Sequence, residues 1–332
     1  MSTHILQKGV IALFICMVAF GCQQANDPIK RERPVDMLKE EEKIVWMATT
    51  GMIADALENL GRPFSRIHTM MGPGIDPHLY KPSPADLSHL EEAHFFCHNG
   101  MYLEGKLEKI LKDSWGYRHT YAIIAGLSYN DLIPVEGFEG THDPHIWFDL
   151  KLWNKAVDSL ATVLGNQYPR IYEEIQANSQ KYRSELLKQH EWALRLLNKI
   201  PKEQRVLVTA HDAFRYFGRA YDVEVRALQG ISTVSEYGIR DVSNMVNYLV
   251  DNKIPAIFPE TSISDKAMKA VIEGCKKKGW EVRLGNTLYG DALGEKDGPH
   301  GTLIGAFRHN VISLYEALSG ETYQDNGEDA GN

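Results

Sequence analysis

The sequence predicts an α/β protein, two βα lobes with mostly parallel sheets joined by one long rigid helix, with the functional site in the cleft between the lobes. Two observations predict it. Strand-like and helix-like apolar patterns alternate on both sides of the middle of the chain, the signature of parallel sheets covered by helices. Between them, Arg170 to Ile200 carries no Gly or Pro, and Ile171, Ile175, Tyr182, Leu186, Ala193, Leu197 and Ile200 recur in steps of three, four or seven. A length of 332 residues agrees with two domains, each of about 150 residues.

At a rise of about 1.5 Å per residue the middle helix is roughly 45 Å long, bracketed by Pro169 and Pro201. It reads as a strut over 169–200, separating an N-terminal lobe, 43–168, from a C-terminal lobe, 201–319. The alternative is a dimerising coiled coil, but the run covers only about four heptads, and His190, Trp192 and Arg195 interrupt its charged flanks. A helix without Gly or Pro resists bending, so small lobe tilts and loop shifts are expected in place of a wide opening.

In the first lobe, Ile44 to Met47 reads as a strand and passes through Thr49 and Thr50 into the helical pattern of Met52, Ile53, Ala56, Leu57 and Leu60. Phe64 to Met71 is a second strand, broken by Gly72, Pro73, Gly74, Asp76 and Pro77 into a loop that carries His78. A helix from Ser83 to Leu90, a strand from Ala93 to Cys97, a helix from Leu103 to Leu111 and a strand from Tyr121 to Ala125 follow. A loop then ends at His142 to Phe148, and a helix over Lys151 to Leu164 leads to the strut.

The rhythm restarts after Pro201. Arg205 to Thr209 is a strand ending at His211, with a helix opening at Ala213. Strands at Val223 to Leu228, Pro255 to Phe258 and Glu281 to Leu284 alternate with helices at Asp241 to Asp251 and Ser264 to Lys278. A loop carries Tyr289, Gly290 and Asp291, Asn310 to Leu318 closes the body, and the tail over 320–332 reads as disordered.

The N-terminus reads as a processing segment. Lys8 precedes an apolar run from Val10 to Phe20, too short to span a bilayer. Gly21 and Cys22 then resemble a bacterial lipobox, which implies a signal over 1–21, lipidation of Cys22 and a polar tether over 22–42; the alternative is a plain signal peptide or a buried helix. Cys97 and Cys275 fall in opposite lobes and are expected as buried thiols in preference to a disulfide. A net charge of -8 with scattered Lys and Arg offers no basic stripe for nucleic acid.

Four ionisable residues stand at loops that follow strands or close a lobe: His78, His145, His211 and Asp291. Three imidazoles and a carboxylate suit a divalent transition metal, and with two residues on each side of the strut the ion would lie between the lobes. Spacing alone is weak evidence among 13 histidines. The surrounding words add to it: Gly74-Ile75-Asp76-Pro77-His78-Leu79-Tyr80, Asn99-Gly100 with Leu103-Glu104, Asp143-Pro144-His145-Ile146-Trp147-Phe148-Asp149, Val208-Thr209-Ala210-His211-Asp212-Ala213-Phe214, Gly230-Ile231-Ser232 and Gly290-Asp291-Ala292-Leu293-Gly294. On these the sequence resembles, over nearly the whole mature chain, the solute-binding lipoproteins of zinc and manganese ABC importers, the family that includes TroA, PsaA and ZnuA.

The resemblance implies that His78, His145, His211 and Asp291 are the metal ligands. Partners are then the metal ion, an ABC permease with its ATPase subunit, and the membrane through the lipid anchor, with the chain a monomer in the cell envelope outside the cytoplasm. Departures are small: Leu150 stands where the family often has Pro, and Tyr237 where a Pro commonly follows the Glu. Zn²⁺ is the expected cargo ahead of Mn²⁺ or a mixed role. A nitrogen-rich shell favours zinc, and manganese-dedicated relatives tend to have Glu at the position of His211. Against that, Pro134 to Thr141 lacks the His-rich loop of many zinc-dedicated relatives.

Among the neighbours, Glu260 is either an acceptor that orients a ligand histidine or a surface carboxylate. His142, His300 and His309 are expected outside the ligand set, and Trp147 is expected to pack against it. No HExxH, CxxC or phosphate-binding loop is present, so no catalytic residue is assigned. The alternatives to capture and delivery are a zinc-dependent hydrolase and a surface adhesin.

Overall fold

In the computed structural model, residues 43–105, 107, 120–136, 140–234 and 237–325 are described. The signal, Cys22 and the tether lie outside these, as does most of the helix expected at Leu103 to Leu111. The first lobe is built from β1 (Ile44–Ala48), α1 (Gly51–Gly61), β2 (Ser65–Thr69), α2 (Pro84–Glu92), β3 (Phe95–His98) and β4 (Thr120–Ala122). Its sheet is parallel throughout, in the order β2-β1-β3-β4. The central strand is apolar on both faces, as a parallel sheet under helices requires. Trp46 enters the main core and Met47 a smaller cluster with Met70, Met71, Leu90 and Phe96.

β4 ends earlier than the apolar run at Tyr121 to Ala125 suggests. The chain turns into a 3-10 segment, Ile123–Gly126, where Gly126 passes so close to the next helix that a Cβ would sit 2.2 Å from Ser159.

That helix is α3 (Leu150–Gln167), capped by Asp149, whose side chain accepts from Leu152 N at 3.0 Å. The strut expected over 169–200 opens as a 3-10 turn, Pro169–Ile171, and becomes α-helical only over α4, Tyr172–Leu197. Its 26 residues span about 39 Å. The helix does not stand alone. It runs antiparallel to α3, with Gln176 donating to Ala161 O at 3.2 Å and Asn154 donating to Arg183 O at 2.9 Å. It also touches the first lobe through Tyr182 and Asp55 and the second through Gln189 and Arg308.

The second lobe repeats the first. It comprises β5 (Val206–Thr209), α5 (Arg215–Tyr221), β6 (Glu224–Ala227), α6 (Ile239–Asp251), β7 (Ala256–Ile257), α7 (Lys266–Lys277), β8 (Arg283–Leu284) and α8 (Leu303–Ser319). β5 pairs with β6 and β7 with β8, all parallel. A Thr209–Phe258 bridge, with Phe258 N donating to Val208 O at 2.8 Å, sets the two pairs side by side. The resulting order, β6-β5-β7-β8, copies that of the first lobe.

α8 begins seven residues before Asn310 because Thr302 caps it, its hydroxyl accepting from Gly305 N at 3.1 Å; Gly305 hides that turn from propensity. Between the lobes lies an aromatic seam. Phe148 of the first lobe stacks on Phe214 of the second with centroids 5.7 Å apart and meets Phe307 at 6.4 Å. The tail expected to be disordered from Gly320 holds to the body over its described residues: the Tyr323 ring meets Trp192 edge-on at 6.0 Å and Asp325 lies 4.0 Å from Arg308. Cys97 and Cys275 are buried free thiols. Among the described residues no helix is long and apolar enough to cross a membrane.

Candidate metal centre

Each of the four residues sits in a loop, His145 in the one that leads into α3, and is aimed by a neighbouring group. Asp76 Oδ1 accepts from His78 N at 2.9 Å, and Pro77 between them fixes the turn. The second Asp-Pro-His repeats this: Asp143 Oδ1 accepts from His145 N at 2.9 Å, and also lies 2.7 Å from His145 Nδ1. His211 follows β5, with its backbone N donating to Glu260 Oε1 at 3.0 Å and its Nδ1 2.9 Å from Glu260 Oε2. The Asp291 loop is clamped by Asn310, which accepts from Tyr289 N at 2.9 Å and donates to Tyr289 O at 2.7 Å.

With Nδ1 of His145 and His211 each turned to a carboxylate, both Nε2 atoms face inward. His78 Nε2 lies 3.2 Å from His145 Nε2 and 3.4 Å from Asp291 Oδ2. His211 Nε2 lies 3.0 Å from Asp291 Oδ2, and His145 Nε2 lies 3.6 Å from Asp291 Oδ1. Zinc bonds of about 2.0–2.1 Å imply a tetrahedral edge of about 3.3 Å, so this donor set fits such an ion. Asp291 Oδ1 is buried without a hydrogen-bond partner among the described residues, a lone pair that a cation would satisfy. All four residues are buried, the most exposed being His78 at 6%.

Electrostatics favour a cation here. Burial opposes charge on His211, but Glu260 and Asp291 outweigh it and raise the imidazole well above its ordinary pKa. Burial likewise opposes ionisation of Asp291, yet the neighbouring histidines hold its carboxyl well below the usual range.

Glu260 is therefore buried, not a surface carboxylate. Sequence reading assigned no role to Asp143 or to a second buried carboxylate, Glu104. Glu104 Oε1 accepts from Thr49 Oγ1 at 2.8 Å and from Asn99 N at 2.6 Å, and Asn99 donates to Pro144 O at 3.0 Å, next to His145. The repeated Asp-Pro-His was the available signal for Asp143. Trp147 packs edge-on to His145 at 5.3 Å and donates to Gly290 O at 3.0 Å. His142 stands apart, edge-on to Tyr129 at 5.0 Å. His300 pairs with Tyr289 OH and His309 with Thr287 O, both at 2.9 Å.

A Cβ at Gly290 would fall 2.3 Å from Glu260 Oε2. Gly290→Ala is thus expected to push the carboxylate off His211 and weaken metal binding about tenfold with the fold retained. Calorimetric titration beside a melting curve measures both.

The model of the family described as ZnuA, zinc-uptake complex component A periplasmic, matches residues 47–317. The chain belongs to this family. Its ZnuA-family relatives include the manganese-binding lipoprotein MntA of Bacillus subtilis, 41% identical over 278 residues, which cover 84% of this chain and 90% of that one. The zinc-binding protein TroA of Treponema pallidum is 36% identical over 277 residues, covering 83% of this chain and 89% of that one. The TroA structure matches at a TM-score of 0.81 with 36% identity, over 83% of this chain and 99% of that chain. The Fe(III)-bound YtgA of Chlamydia trachomatis matches at 0.76 with 26% identity, over 85% of this chain and 100% of that chain.

Proposed function

We propose that this ZnuA-family chain captures one divalent transition metal ion outside the cytoplasm, held by His78, His145, His211 and Asp291, and delivers it to an ABC permease driven by its ATPase subunit. The observation that carries the reading is the convergence of four buried donors from the two lobes, whose ligand atoms all lie within 4.8 Å of one another. Lipidated Cys22 and the tether over 22–42 hold the monomer at the membrane, with the body free to meet the permease. Zinc is the first cargo, since three nitrogens and one carboxylate suit it and the affinity order places it above manganese. Manganese or a mixed role is the second reading, favoured by the 41% identity to MntA.

Capture is favoured over hydrolysis because four protein donors complete a tetrahedron, whereas catalytic zinc keeps one position for water. Elemental analysis of chelated and reloaded protein is expected to give one ion per chain, and zinc is expected to displace manganese. A stoichiometry near two contradicts the single shell.

Protons compete with the ion. Ligation needs His211 Nε2 unprotonated, and its raised pKa means that the imidazolium persists above the ordinary value. Affinity therefore climbs with pH through and above about 6.5. Titration between about pH 5.5 and 8.5 measures this, and a flat profile excludes a histidine-rich shell.

A further inference from the structure

The two Asp-Pro-His turns differ in the use of the second carboxylate function. At 143–145 Asp143 Oδ1 serves both backbone and ring of His145. At 76–78 only His78 N is served by Asp76 Oδ1, and Asp76 Oδ2 reaches across to the second lobe, accepting from Thr233 Oγ1 at 2.6 Å. At 2.6 Å this is a short hydrogen bond from a hydroxyl to a carboxylate oxygen.

We infer that the Thr233–Asp76 hydrogen bond is a latch across the mouth of the cleft, and that Thr233 sets the rate at which the metal ion enters and leaves by holding the His78 loop shut. The inference rests on the proposed four-residue metal shell. Away from the mouth the lobes are tied by buried bonds: Trp147 to Gly290 O at 3.0 Å, and Tyr216 OH to Asp143 O at 2.8 Å. Arg219 adds a bond to Asp131 O at 2.8 Å. On the His78 side the surroundings open to solvent, with Gly72 to Ile75 exposed and Leu79 and Val234 at 56% and 64%. An ion reaching a closed shell must displace a donor, and His78 is the most exposed of the four and sits on this outer loop. One carboxylate thus couples His78 to the opposite lobe, so breaking the bond to Thr233 frees the loop while leaving all four donors in place.

A latch that must open for passage in either direction slows both. Thr233→Val, which keeps the shape and removes the hydroxyl, is expected to raise zinc association and chelator-driven zinc release each about tenfold, with the dissociation constant changed less than about threefold. Thr233→Ser, which restores the hydroxyl, should return both rates to those of the unaltered protein, and Thr233→Ala, which adds no bulk, should repeat the valine result. Stopped-flow mixing with a zinc-sensitive dye gives the rates, and melting curves confirm folding. Rates within twofold of the unaltered protein in both Val and Ala overturn the latch but leave the metal shell standing. So does faster release with unchanged association, which makes Thr233 a stabiliser of the loaded form alone, or a Ser variant that behaves like Val. Failure of the unaltered protein to bind zinc or manganese removes the shell and the latch together.

Discussion

His145→Ala is expected to lower metal affinity by about two to three orders of magnitude. A structural zinc site of this kind is worth about 10–16 kcal/mol, so one donor in four carries on the order of 3 kcal/mol, and each 1.4 kcal/mol is about tenfold. His145 is placed to show the full effect. Its Nε2 is close to both His78 and Asp291, at 3.2 and 3.6 Å, and its ring is walled by Trp147. Truncation leaves a gap that water fills as a weaker ligand, and strips Asp143 Oδ1 of its ring partner. His78→Ala, His211→Ala and Asp291→Ala should follow, while Asp143→Asn, which only loosens the ring, should cost about 10–100-fold. His142→Ala, His300→Ala and His309→Ala are the controls, each expected within about twofold. Titration calorimetry that found equal losses in both sets would remove the ligand assignment.

The four clustered residues were legible as candidates because they stand in loops that follow strands or close a lobe, and two of them end the same Asp-Pro-His word. What orients them was not. Whether Glu260 faces solvent or His211 depends on how β7 meets the Asp291 loop, which involves a bridge between Glu260 and Leu288. Glu104 falls within the helix expected at Leu103 to Leu111, a pattern that does not say which way its carboxylate faces, yet it is fully buried and linked through Asn99 to the His145 loop. The long helix was legible as a helix but not as half of a hairpin. Its period identifies one buried face, whereas contact with α3 uses polar residues such as Asn154, Arg183 and Gln176 that read as solvated. The repeated sheet order of the lobes was also hidden, because β7 and β8 are only two residues long.

One such polar contact bears on stability. Asp55 on α1 accepts from Tyr182 OH at 2.6 Å across the junction of the first lobe and the long helix. Burial pushes its pKa up, against the bonds from Tyr182 and from the backbone of Leu303 at the start of α8, to about 6. The ordinary value is 3.8, so the folded state binds this proton more tightly than the unfolded chain. Its contribution to stability therefore falls as pH rises between about 4 and 6, and above that window the ionised group costs about 2–3 kcal/mol. Asp55→Asn keeps an acceptor for Tyr182 without the charge. It is expected to stabilise the protein at pH 8 by about 2 kcal/mol, and the gain should vanish near pH 4. Tyr182→Phe should act in the opposite direction, costing about 1–3 kcal/mol at pH 8 because the buried carboxylate loses a donor. Denaturant unfolding of metal-free protein at both pH values measures the pair. A destabilising Asp55→Asn at pH 8 would mean that the charge, tied to three helices at once, holds the lobes together more strongly than its burial opposes it.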